Sequence, residues 1–267
     1  MADLIHPGMP MPVDRENYAH TPENPVRRVT EYPVSTFSVD VDTGSYSNIR
    51  RMLREGRLPP ENAVRVEELI NYFSYDYPLP ESTETPFRVT VEQAATPWNP
   101  DTHLLQIGIQ GYRPDPEEIP AANLVFLLDV SGSMNAANKL PLLVNSMKML
   151  SRELDADDRV AIVVYAGASG VVLESTPGDD HARIHAALDR LSAGGSTNGA
   201  AGIDLAYAQA RKGYIEGGIN RVLLATDGDF NVGLTSPDAL IELAAEKAKD
   251  NIYLTIMGFG TGNLNDS

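Results

Sequence analysis

The sequence predicts an α/β fold, a doubly wound and mostly parallel sheet with one antiparallel edge strand, preceded by an α+β region. Three observations predict it. Residues 124–128 are an unbroken apolar run ending in Asp129, and residues 222–225 are a second such run closing on Thr226 and Asp227. Runs without polar alternation suit strands covered on both faces, as in parallel sheets. From Asn123 onward strand-like and helix-like patterns alternate, the mark of a sheet wound by crossover helices. Polar residues at the carboxyl ends of such strands fall where open α/β sheets place their ligands.

Taken in order, residues 1–33 carry Pro7, Pro10, Pro12, Pro25 and Pro33 among polar residues and read as a disordered arm or linker. Residues 35–42 alternate apolar and polar, the pattern of a half-exposed strand. A helix is expected from Thr43-Gly44-Ser45 to about Arg57, with Tyr46, Ile49, Met52 and Leu53 on one face and Pro59-Pro60 ending it. Val66, Leu69, Ile70 and Phe73 keep helical spacing over residues 66–73, and residues 78–86 form a loop. Strands follow at 87–93 and 104–112, separated by the turn-rich Trp98-Asn99-Pro100-Asp101. Residues 34–120 are therefore set apart as the α+β region, with 114–120 as linker and 121–267 as the wound domain.

Within that domain, residues 140–154 place Leu140, Leu143, Met147, Leu150 and Leu154 on one helical face, with Pro141 tolerated in the first turn. Strands at 160–165 and 171–173 are joined by the short Ala166-Gly167-Ala168-Ser169-Gly170, too short for a crossover, so they form an antiparallel edge hairpin. Helices are expected at 181–191 and 199–213, the second rich in Ala and Gly and so able to approach the sheet closely. Thr197 sits in the loop between them. A strand at 221–225, a helix from Pro237 capped by Ser236, and a strand at 252–259 complete the chain.

Asp129, Ser131, Ser133, Thr197 and Asp227 offer only oxygen, a donor set that suits Mg²⁺, Mn²⁺ or Ca²⁺ and disfavours zinc or copper. Two-residue spacing in extended backbone lets both serine hydroxyls point the same way, and Gly132 permits a tight turn between them. Asn135, Asn198 and Asp229 would ring the same mouth.

Asp-x-Ser-x-Ser, a threonine in the Gly-Gly-Ser-Thr loop and an aspartate after a later strand, in this order, resemble the metal-ion-dependent adhesion site of von Willebrand factor type A domains. The resemblance implies that Ser131, Ser133 and Thr197 coordinate the ion directly or nearly so, with Asp129 and Asp227 often acting through water. Such a shell offsets the ion's charge incompletely, leaving a position for an acidic side chain of a partner protein. The segments 35–43, 66–77, 98–100 and 225–233 look like a bacterial, envelope-associated subfamily whose members carry a signal or lipoprotein segment upstream and a further domain downstream. That implies a cell-envelope or periplasmic location and a metal-bearing domain whose last helix, edge strand and closing helix are missing at the C-terminus. The layout also suggests that residues 34–120 and the missing part form one split domain.

Composition narrows the functions. A formal net charge of −16 argues against nucleic acid and anionic membrane surfaces and favours cations and basic proteins. The absence of cysteine excludes disulfides and thiolate chemistry, and no apolar stretch reaches membrane-spanning length. Residues 1–12 have neither the basic start nor the apolar core of a secretory signal, which leaves a cytosolic protein or an already processed one. A protein-docking module without catalysis is the reading that results. One alternative is a cytosolic adaptor coupling an AAA+ ATPase to its substrate. A remote one is a haloacid-dehalogenase-like phosphotransferase at Asp40 and Asp42, which would need a downstream lysine and a second acidic pair at strand ends. Asp179-Asp180 instead opens a helix, and Asp40 and Asp42 are then expected to cap the following helix or face solvent. His181 and His185 stand four apart as zinc ligands can, but without a third ligand they read as a solvated helix face.

Overall fold

The computed structural model describes residues 18, 20, 24–115, 118–194, 200–227 and 237–260. They fall into two compact units, Tyr18–Ile119 and the part from Pro120 onward.

The second unit is a five-stranded sheet built from β3 (Ala122–Asp129), β4 (Arg159–Tyr165), β5 (Ser169–Pro177), β6 (Ile219–Thr226) and β7 (Ile252–Gly258), in the order β5-β4-β3-β6-β7. Only β5 runs antiparallel, paired to β4 as the short connection requires. Helices cover both faces, and β3 shows why its sequence is continuously apolar. Leu124, Phe126 and Leu128 face a cluster with α3 (Leu140–Ser151) and α4 (His181–Asp189), while Val125 and Leu127 face α5 (Ala200–Lys212) on the other side. Period-two alternation is still present, but both faces are core. Gly202 lets α5 approach closely: a Cβ there would stand 2.8 Å from Tyr165 Cβ. A sixth helix, α6 (Pro237–Ala248), adds Leu243 to this second cluster. Its expected cap, Ser236, lies outside the described residues.

At the amino ends of the strands a buried asparagine pair replaces apolar packing. Asn123 Nδ2 donates to the carbonyl of Ala210 (2.8 Å) and to Asn220 Oδ1 (3.1 Å). Asn220 in turn donates to the Ile215 carbonyl and accepts from the Ile215 N–H.

The first unit contains α1 (Gly44–Arg54), α2 (Val66–Asn71) and an antiparallel ribbon of β1 (Phe87–Thr96) and β2 (Asn99–Gly111). Helix α1 ends before the expected prolines. Gly56, at φ 73°, donates to Leu53 O while Arg57 N–H donates to Met52 O, a left-handed glycine cap that closes the helix from within. The two helices are joined by polar contacts as well as by rings. Buried Glu68 accepts from the Ser45 N–H (2.7 Å) and from Arg65 (3.1 Å), and Tyr46 packs on Tyr72 with ring centroids 4.2 Å apart.

Residues 35–42 form no strand. Phe37, Val39 and Val41 are exposed, and no strand among the described residues supplies a ladder. The ribbon is longer than its sequence suggests, because Asn99 to Asp101 join β2 and the turn shrinks to Pro97-Trp98. Among the described residues no helix is long and apolar enough to cross a membrane.

Candidate metal centre

Parallel pairing of β3 with β6 sets Leu128 beside Ala225, so both strands deliver a carboxylate at the same sheet end. Asp129 and Asp227 are both buried. The Ser131 N–H donates to Asp129 Oδ1 (2.8 Å), and the Ser131 and Ser133 hydroxyls share a hydrogen bond of 3.0 Å. The serines converge for a reason other than extended backbone throughout. Ser131 is extended, but Ser133 lies in a 3₁₀ turn, Gly132–Asn135, pinned from below by fully buried Met134. Asn135 is exposed at its end.

The loop before α5 starts at the same place, since the Gly194 N–H donates to the carbonyl of Val130, the residue after Asp129 (2.8 Å). Thr197, Asn198 and Asp229 lie outside the described residues.

Burial raises the pKa of Asp129; the Ser131 hydroxyl and N–H oppose the rise, and the charge of Asp227 adds to it. Its Oδ2 is buried with no hydrogen-bond partner among the described residues, the Tyr165 hydroxyl standing near enough only to favour the anion slightly. Burial, followed by the neighbouring Asp129, drives the Tyr165 phenol far above its usual range, so Tyr165 stays neutral. A buried carboxylate with a bare oxygen beside converging hydroxyls fits a hard cation. Among the described residues no three His, Cys, Asp or Glu side chains cluster as a metal site, so any ion held here would depend on the hydroxyls.

Sequence reasoning missed Lys139. Its ammonium donates to Asp227 Oδ2 at 2.8 Å in a buried ion pair. The stem runs beneath Gly260, at φ 94°, where a Cβ would come 2.4 Å from Lys139 Cε. A signal was present. Lys139 occupies the N-cap position of α3, where the helix dipole disfavours a cation, so a compensating carboxylate was to be sought nearby.

Residues 12–106 match the family described as von Willebrand factor, and residues 124–229 match the von Willebrand factor type A domain. The chain carries a von Willebrand factor type A domain. The uncharacterized protein YfbK of Escherichia coli K12 is 48% identical over 256 residues, 94% of this chain and 44% of that protein. An uncharacterized protein of Synechocystis is 27% identical over 156 residues, 58% of this chain and 36% of its own length. The chain thus spans less than half the length of either curated relative. Among solved structures, manganese-loaded Plasmodium vivax TRAP protein is 22% identical, covering 55% of this chain and 59% of that one, with a TM-score of 0.45. Type A domains are in general protein-interaction modules.

Among the described residues the other candidates do not form sites. Asp40 accepts from the Asp42 N–H (3.0 Å) in an irregular segment, so the strand end that a phosphotransferase needs is absent there. Neither aspartate caps α1, whose N-cap is Thr43 without a side-chain bond. His181 and His185 are half-buried rather than solvated. Their rings stack at 6.2 Å, and His185 Nε2 pairs with Ser151 Oγ (3.0 Å).

Proposed function

We propose that this type A domain is a divalent-cation-dependent docking module. Asp129, Ser131 and Ser133, with Thr197 and Asp227, would hold Mg²⁺, or Mn²⁺ or Ca²⁺ in its place, and Asn135, Asn198 and Asp229 would form the rim. The bound ion supplies positive charge and an open coordination position for an Asp or Glu side chain of a partner protein. The chain's own residues do the rest: the Ser131 N–H orients Asp129, and the turn anchored by Met134 holds both hydroxyls on one side. The reading assigns no catalytic step and places the full-length protein at the cell envelope, which N-terminal processing of that protein would test. What carries it is the bare, buried Oδ2 of Asp129 beside the paired serine hydroxyls.

Thermal melting of metal-stripped chain with Mg²⁺ or Mn²⁺ titrated back tests the centre. At a hundredfold excess over Kd, binding adds about 2.7 kcal/mol, and each kcal/mol moves the midpoint by roughly 2–4 °C at this size. The shift should vanish in Asp129→Ala. A folded wild-type chain whose midpoint ignores both ions would refute the docking mechanism.

A further inference from the structure

We infer that Lys139 is a tethered competitor for this centre, an internal cation whose ammonium holds Asp227 when no divalent ion is bound and must leave for one to enter. The inference rests on the metal-docking reading and adds the residue that sets its affinity.

Three observations carry it. The ammonium is 2.8 Å from Asp227 Oδ2, and the side chains of both partners are buried, so the contact is weakly screened. Asp227 is also the acidic residue that the β3–β6 pairing brings to the same sheet end as Asp129, one register position further on. An ammonium and a divalent ion sharing one carboxylate repel each other strongly in such a place, so occupancy by one excludes the other. Finally, Lys139 stands at the N-terminus of α3, where the helix dipole opposes its charge, so Asp227 is what makes this position tolerable. Once an ion takes Asp227, the ammonium loses this contact and moves away from the ion on its flexible stem. A lysine here thus performs two tasks. It keeps a buried carboxylate compensated in the ion-free domain, and it raises the ion concentration at which the centre fills.

The test compares wild-type chain with Lys139→Met, which keeps the length of the stem and removes the charge. Isothermal titration of Mg²⁺ and Mn²⁺ into metal-stripped protein should show Kd lower by tenfold or more in the variant, while its ion-free melting midpoint falls and its Mg²⁺-saturated midpoint matches wild type. Equal or weaker binding in Lys139→Met, with wild type binding normally, overturns the inference alone and makes Lys139 a strut for Asp227. Binding by neither protein overturns the docking reading with it. A second measurement needs no variant: acetylation of wild-type chain by acetic anhydride, read by mass spectrometry with and without Mg²⁺. Lys139 labelling should rise severalfold with the ion relative to Lys212, whose side chain is 59% exposed. Unchanged protection of Lys139 at saturating Mg²⁺ refutes displacement.

Discussion

Strands β3 and β1 draw on similar residues and meet opposite fates. In β3 every residue from Asn123 to Asp129 is buried; in β1, Val89 and Val91 are more than half exposed, although they pair with Ile109 and Ile107 of β2 across one face. The difference lies in what covers them. Crossover helices α3, α4 and α5 sandwich β3, whereas the ribbon pairs with no third strand among the described residues and leaves its apolar side exposed. Strand propensity therefore tells where a chain extends, and only the surrounding elements decide whether the extended stretch becomes core.

Leu127→Ala should break this contrast most severely. It removes a fully buried side chain between β3 and α5 and is expected to cost about 2–5 kcal/mol by urea unfolding. A loss under about 1 kcal/mol would mean that the sandwich is loosely packed. Next in size is Glu68→Ala, which probes what holds the first unit together when apolar burial does not. Leaving the buried Ser45 N–H without its acceptor and removing the Arg65 contact should cost about 1–3 kcal/mol, seen as faster amide exchange in α1 with β3 and β6 unaffected. Equal exchange in both proteins would assign the helix pairing to the Tyr46 and Tyr72 rings instead.

Tyr207→Phe sharpens the comparison from within the sandwich. Burial raises the Tyr207 phenol to about 12, and its hydroxyl has no partner among the described residues. Removing it should leave stability unchanged or improve it by up to about 1 kcal/mol in a denaturant titration, and a clear loss would reveal a hidden partner. The smallest effect belongs to the ribbon. The double variant Val91→Thr with Ile107→Thr should shift stability by no more than about 0.5 kcal/mol, because these side chains already face solvent. A loss several times larger would show that this face is covered in solution.

The same contrast explains how much the sequence revealed. Strands β3 and β6, each closing on an aspartate, were legible because burial on both faces writes an unbroken apolar run. The antiparallel β4–β5 hairpin was legible from the shortness of its connection. Residues 35–42 misled because Phe37, Val39 and Val41 carry the alternation of a strand, and no periodicity reports whether a neighbouring strand exists to pair with. The end of α1 was misplaced because Pro59-Pro60 is a louder signal than Gly56, although the glycine acts first. Lys139 escaped because its role depends on a contact with Asp227, 88 positions away. Only the mismatch between its charge and the start of α3 hinted at it.

The buried asparagine pair has a consequence for the opposite end of the sheet. Parallel strands made of Val, Leu and Ile could slide past each other by two residues and still present apolar side chains to both helical layers. Asn123 and Asn220 oppose the slide, since they are partners in the β3–β6 alignment and the bond from Asn123 Nδ2 to Asn220 Oδ1 forms only there. Asp227 stands one position beyond the residue that the alignment sets against Asp129, and at about 3.3 Å per residue a two-residue offset would move the two carboxylates by roughly 6–7 Å relative to each other. Two neutral amides at the floor of the domain thus act as a gauge block for the height at which its two carboxylates meet.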